Sequence, residues 1–321
     1  MGPAESNSSR PKHAPPKAVG LALEGPVAPQ HQIPVANGLL LWQGRNNSMN
    51  QGYDTLIKAL DLSDSVADWA TGRITLPLAA MKSPAEWYGF PPVLIPIWSD
   101  GSGPSYIGIW KHWFTDRPLC FVKMYVGSGR MTIEIARTAE QLLGYMAMAT
   151  ISVDDGVGPK LEKFCERVGL QNLSEIDNLS LNTGDDSLGF AAIRQFATDT
   201  PLAGTNDLAS YSGMFPTGSF ERHKWWRDAC SFEVPSEILT EWPDAVERPD
   251  WLIPGEKKPL FQRLLRDGNL HDAWMTLNSS GWSFADAKSA IMELERAAKD
   301  EQFSLLAKSW LSIADEGAGS Y

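Results

Sequence analysis

The residues best equipped for chemistry sit in Trp110-Lys-His-Trp113, where His112 is followed closely by Asp116 and Arg117. An imidazole near a carboxylate could move a proton or ligate a metal, but either role needs partners. No His-Glu-x-x-His pattern and no clustered His/Cys/Asp set accompanies it. His112 is therefore expected to face solvent or an interface. Asp100-Gly-Ser-Gly103 and Gly127-Ser-Gly129 lack the Lys and Ser/Thr of a phosphate loop and the helix that should follow one, so they read as turns. Arg222-His-Lys-Trp-Trp-Arg227 interleaves cations with indoles, the composition of a single-strand nucleic-acid platform. In a chain of net charge −11 it reads instead as an amphipathic segment, with Trp225 or Trp226 in the core and its cations snorkelling outward. Asp154-Asp155 and Asp185-Asp186 lack the ligand alternation of a calcium loop and read as solvated turns. Cys120, Cys165 and Cys230 form no C-x-x-C pair, so neither a zinc knuckle nor a disulfide framework is indicated.

The elements that must position these residues are centred on Pro92 to Thr150. Val93 to Trp98, Ser105 to Trp110, Leu119 to Val126 and Met131 to Ile135 are short runs of β-branched and aromatic residues bounded by Gly, Pro, Asp and Ser. Their short links favour antiparallel pairing, because a parallel crossover needs a dozen or more residues. Along the second ribbon Tyr106, Trp110 and Trp113 alternate, so one face is expected in the core and the other as an exposed aromatic patch. Thr138-Ala-Glu-Gln141 has the spacing of a capping box, with Leu142, Leu143, Tyr145, Met146 and Met148 behind it.

Around that centre, Met1 to Asn37 is rich in Pro, Ala and Ser and reads as a flexible tail, and Gly38 to Trp42 reads as a short strand. Helical spacing recurs near Tyr53, Ile57 and Leu60, and again over Ser63 to Thr71. Leu161, Phe164, Cys165 and Val168 make one apolar stripe between Pro159 and Gly169, which marks Cys165 as core. Gln171 to Phe232 has no clear period. Phe232 to Pro259 is rich in Pro and acids and reads as an extended linker pinned by Trp242 and Trp251. Beyond it, Pro259 is expected at a first helical position. Asn269 and Ser283 open two further amphipathic helices, and Phe303, Leu306, Trp310 and Ile313 carry a fourth or a continuation. The expected organisation is a tail over 1–37, an α+β core over 38–231, a linker over 232–258 and an all-α module over 259–321. The fold class is α+β, an antiparallel β-meander flanked by helices.

Composition narrows the function. The chain has 321 residues and 43% apolar side chains, as a globular protein should. Its 13 tryptophans are expected at boundaries and half-exposed surfaces. Excess acid argues against nucleic-acid binding; it suits a basic partner, and it serves equally to keep the chain in solution. No run reaches the ~18 apolar residues of a membrane span, and no signal pattern opens the chain, so a cytoplasmic setting without a membrane is expected.

The central stretch resembles the core of the SUKH superfamily, which includes bacterial toxin-immunity proteins and a fungal cell-wall-synthesis regulator. The resembling features are Leu94-Ile-Pro-Ile97, the Asp100-Gly-Ser-Gly103 turn and the aromatic strand through Tyr106. Pro118 leading another strand and the closing Glu140-Gln-Leu-Leu143-Gly-Tyr145 complete the pattern. It covers under a quarter of the chain, and the C-terminal helices lie outside that core. The resemblance implies a non-catalytic protein that binds and blocks a toxin domain, often a nuclease. The expected contact residues are Trp98, Asp100, Tyr106, Trp110, His112, Trp113 and Asp116, with no cofactor and no metal. Two alternatives stand beside it: a regulatory scaffold using the helical module, and an enzyme with a non-local site around Asp100, His112 and Asp116.

Overall fold

Four strands form a meander in the order β1-β2-β3-β4: β1 (Leu94–Ser99), β2 (Ser105–Trp110), β3 (Cys120–Tyr125) and β4 (Met131–Ala136). All neighbours are antiparallel, with Leu94 opposite Trp110, Trp110 opposite Cys120, and Tyr125 opposite Met131. The computed structural model describes residues 52–78, 89–99, 105–183, 192–217, 226–313 and 320–321. The expected tail and the short strand after it lie outside these residues. Bulges at Ile97 and Ile135 add one residue to each edge strand and bend the sheet. Gly108 lets β1 approach β2, since a Cβ there would sit 2.4 Å from the Ile95 carbonyl oxygen.

Helical turns over 52–59 (α1) and α2 (Asp64–Ala70) precede the sheet, and the Tyr53 hydroxyl donates to the Pro96 carbonyl at 2.6 Å. Next in the chain come α3 (Ala139–Asp154), α4 (Pro159–Val168) and α5 (Leu173–Thr183), and α3 packs on β4. Thr138 caps α3 by accepting from the Gln141 amide at 3.1 Å. The Gln141 side chain reaches one residue further back than the box requires, accepting from the Arg137 amide at 2.8 Å. Leu161, Phe164, Cys165 and Val168 are all buried, and Gly169 ends α4 in the left-handed region, as the stripe and its stop require.

The last helices are α6 (Ser236–Thr240), α7 (Lys257–Arg266), α8 (Leu270–Leu277), α9 (Phe284–Ala298) and α10 (Glu301–Ile313). Asn269 and Ser283 cap α8 and α9 by accepting from the amides of Asp272 and Asp286. α7 starts at Lys257, two residues before the expected Pro259, because a first turn needs no amide from proline. No helix among the described residues is long and apolar enough to cross a membrane.

Gln43–Tyr321 form one compact unit, and the boundaries expected at 231 and 258 are bridged by its core. Trp113 stacks edge-on against Trp274 and Phe303, Trp310 donates to the Phe90 carbonyl, and the Val93 amide donates to Asn278 at 2.7 Å. The helices therefore bury their apolar faces against the segments that flank β1 and β2 as well as against each other. In the stretch read as a linker, Phe232, Val234, Ile238, Trp251 and Leu252 are buried. Every residue of β1 and β2 is buried too, so the expected exposed aromatic face does not form. A sheet covered on both sides turns alternating side chains into two cores. The tryptophans follow suit: among the described ones, all but the half-buried Trp242 are buried.

Candidate functional site

The connector from β2 to β3 turns inward, and its polar residues meet a second segment that follows the short 3-10 turn Trp226–Asp228. His112 and Arg117 come from the connector. Cys230 and Glu233 come from the other segment, whose Phe232 and Val234 point Glu233 inward by flanking it with apolar anchors. Glu233 Oε2 lies 2.9 Å from His112 Nε2, and Glu233 Oε1 lies 2.5 Å from Arg117 Nη2. The Cys230 amide donates to Oε2 at 2.9 Å, and Arg117 Nη1 donates to the Asp228 carbonyl at 2.6 Å. The Arg117 guanidinium also covers the Phe215 ring. All three titratable side chains are sealed: His112 is 1% exposed, Arg117 2% and Glu233 0%.

The electrostatics follow from that sealing. Burial alone would push the Glu233 carboxyl up, but Arg117 and then His112 outweigh it and bring it down to about 2. Burial lowers His112 below its ordinary value, against the pull of Glu233, so the imidazole is neutral. Burial raises the thiols of Cys120 and Cys230 well above their usual range, which keeps them as inert core groups. Facing an ionised carboxylate, His112 places its proton on Nε2. Nδ1 then has no partner, and the Trp110 indole N–H, 3.2 Å from Nε2, meets a nitrogen whose lone pair is used. One anion and one cation balance, and the neutral histidine completes the set.

His112, Cys230 and Glu233 also present three donor atoms within 4.8 Å of one another, the ligand types of a zinc-like ion. The fit fails on charge. A divalent ion would need the Cys230 thiolate, and with Arg117 already paired to Glu233 the sealed site would keep a net positive charge. Desolvated unbalanced charge is costly, so the cluster suits a proton economy better than a metal.

A second histidine lies more openly nearby. His271, on α8, meets Asp272 through Nδ1 at 2.7 Å and Asp228 through Nε2 at 2.9 Å, and is 26% exposed. Burial pulls its pKa down, but the hydrogen bonds from Asp228 and Asp272 prevail and raise it. A third polar group joins Glu134 and Tyr211 at 2.8 Å, with Arg137 stacked on the Tyr211 ring. It ties the loop near Leu202 to β4, since the Leu202 amide donates to Glu134 at 3.0 Å.

Of the residues expected to contact a partner, Trp98, Tyr106, Trp110, His112 and Trp113 are buried, Asp116 is exposed, and Asp100 lies outside the described residues. The structure therefore corrects the surface reading of His112 and of the aromatic residues: they are interior. His112 and Asp116 do not share a site; the carboxylate facing His112 is Glu233. That residue escaped sequence reasoning because it is 121 positions away, in a stretch read as linker. The signal available was Phe232-Glu233-Val234, a lone acid inside an apolar run. From the Arg222–Arg227 cluster, Trp226 is buried and Arg227 pairs with Glu247 at the surface, while 221–225 lie outside the described residues. Comparison with family models, curated proteins and solved structures finds no match for this chain.

Proposed function

We propose that the protein acts by binding another protein rather than by catalysis, and that its partner is a basic toxin domain of the kind neutralised by immunity proteins. The observation that carries this reading is the acid-rich strap running from Pro235 to Glu256. Glu237, Glu241, Asp244, Glu247, Asp250 and Glu256 are all exposed on it. Arg227 and Arg263 pair with Glu247 and Asp250, which leaves Glu237, Glu241, Asp244 and Glu256 to meet an incoming cation. On a chain of net charge −11, such a surface attracts a basic partner and speeds encounter. The SUKH-like meander supports the same reading as a likeness of fold, which does not by itself carry function. The C-terminal helices share their core with the sheet, which weighs against their use as a separable docking module. Three free, buried cysteines suit a cytoplasmic setting.

The test is affinity capture by the tagged full chain from its native lysate at low and high salt, read by mass spectrometry, alongside a Glu237→Lys, Glu241→Lys, Asp244→Lys variant. A stoichiometric basic toxin domain, held less well at high salt and lost by the variant, is the expected result. Capture of a chaperone or cell-wall protein, or a toxin held equally by the variant, overturns the reading.

A further inference from the structure

The sealed cluster closes one side of a flap whose two ends are pinned independently of it. At the near end, the Asp228 carboxylate is held by His271 at 2.9 Å. At the far end, the buried Trp251 indole donates to the Ala229 carbonyl at 2.9 Å, and Lys257 donates to the Trp251 and Ile253 carbonyls at 2.9 and 2.6 Å. Between these pins, Cys230 to Arg248 is seated by Phe232, Val234 and Ile238, by the Thr132 amide donating to the Phe232 carbonyl at 3.1 Å, and by Glu233.

We propose that His112 is an acid-operated latch on this flap: when the imidazole gains its second proton, Cys230 to Arg248 lifts from the sheet while Asp228 and Trp251 stay in place. The geometry supplies the cause. Glu233 already serves Arg117, so an imidazolium at His112 would leave one carboxylate between two cations in a site sealed from solvent. The other groups facing His112 cannot neutralise it. Cys230, from the flap, and Cys120, from β3 beside Arg117, are protonated thiols. The Asp228 carboxylate is engaged by His271, which is itself cationic in acid. Opening the flap hydrates His112 and relieves the excess charge. The pins survive acid, because His271 grips Asp228 more firmly when charged and Lys257 remains an ammonium.

The sign is fixed by linkage. In the open flap His112 regains its ordinary value of 6.5, whereas in the closed flap it lies lower. The open form binds more protons, so opening gains about tenfold for each pH unit below that value until the closed form also protonates. This holds whatever partner the protein has.

The experiment is hydrogen–deuterium exchange of the full chain between about pH 8 and about pH 5.5, corrected for intrinsic exchange, with His112→Gln beside it. Peptides within Cys230 to Arg248 should lose protection about tenfold in wild type on acidification, those in α9 should keep theirs, and the variant's flap should not respond. An equal response in the variant, an unresponsive wild-type flap, or loss of α9 protection together with the flap overturns the proposal. If the variant does not fold, the imidazole signals of His112 in wild type decide: protonation must coincide with flap opening. Protonation with the flap closed, or opening with the ring neutral, refutes the latch.

Discussion

His112 and His271 each face a carboxylate, yet the protein sets them oppositely. His112 is sealed, has one carboxylate, and shares that carboxylate with Arg117, so burial wins and the ring stays neutral. His271 is a quarter exposed and has a carboxylate on each nitrogen, so hydrogen bonding wins and the ring favours its charge. Residue type decided neither outcome. What differs is the number of anions within reach and whether water can supply the remainder.

The comparison breaks most severely at Glu233. Glu233→Gln leaves Arg117 as an uncompensated charge in the core and should cost about 3–5 kcal/mol, measured by denaturant unfolding near neutral pH. A joint Glu233→Gln, Arg117→Met variant should cost clearly less than Glu233→Gln alone, because no charge is then stranded. If the joint variant is the worse of the two, the pair is not a self-contained charge unit. In the wild type, the Glu233 carboxyl titrates at about 2 against an ordinary 4.5. The stability it contributes is therefore present above the ordinary value and lost as pH falls from there, which an acid titration of unfolding would show.

A smaller effect belongs to His271. Its charge-assisted bonds are partly solvated, so His271→Ala should cost about 1 kcal/mol near pH 6. Its folded pKa is raised, so this stability is complete below 6.5 and disappears as pH rises through the folded value. Unfolding measured at several pH values should show the variant approaching wild type in alkali. A constant deficit would mean the ring acts by packing against Trp251, whose indole meets it edge-on at 6.0 Å. The smallest effect belongs to Arg227→Ala. Its pairing with Glu247 is largely exposed, and thermal unfolding should change by no more than ~0.5 kcal/mol.

Much of the scaffold was legible because it follows from local pattern. The four strands lie within one or two residues of their apolar runs, Thr138 caps α3, and Leu161 to Val168 bury the stripe that spacing implied. The α+β class follows from the same signals. The candidate site was not legible in this way. His112 and Arg117 stood in view, but the group that gives them meaning comes from Glu233, and hydrophobic periodicity says nothing about which distant acid will be drawn inward. The aromatic residues misled for a related reason. Alternation along β2 predicts two faces, and whether the second meets water depends on what covers it.

The sequence by itself thus determined the meander, the helices and their caps, and the acidity of the chain, since hydrogen-bonding pattern, turn residues and net charge are properties of near neighbours. Only the tertiary structure decided that both faces of the sheet are covered, that the acid-rich strap is seated through Ile238, Trp251 and Leu252, and that His112 is neutral while His271 favours charge. Those outcomes depend on desolvation and on charges brought together from far apart in the chain, and both exist only once the chain has folded.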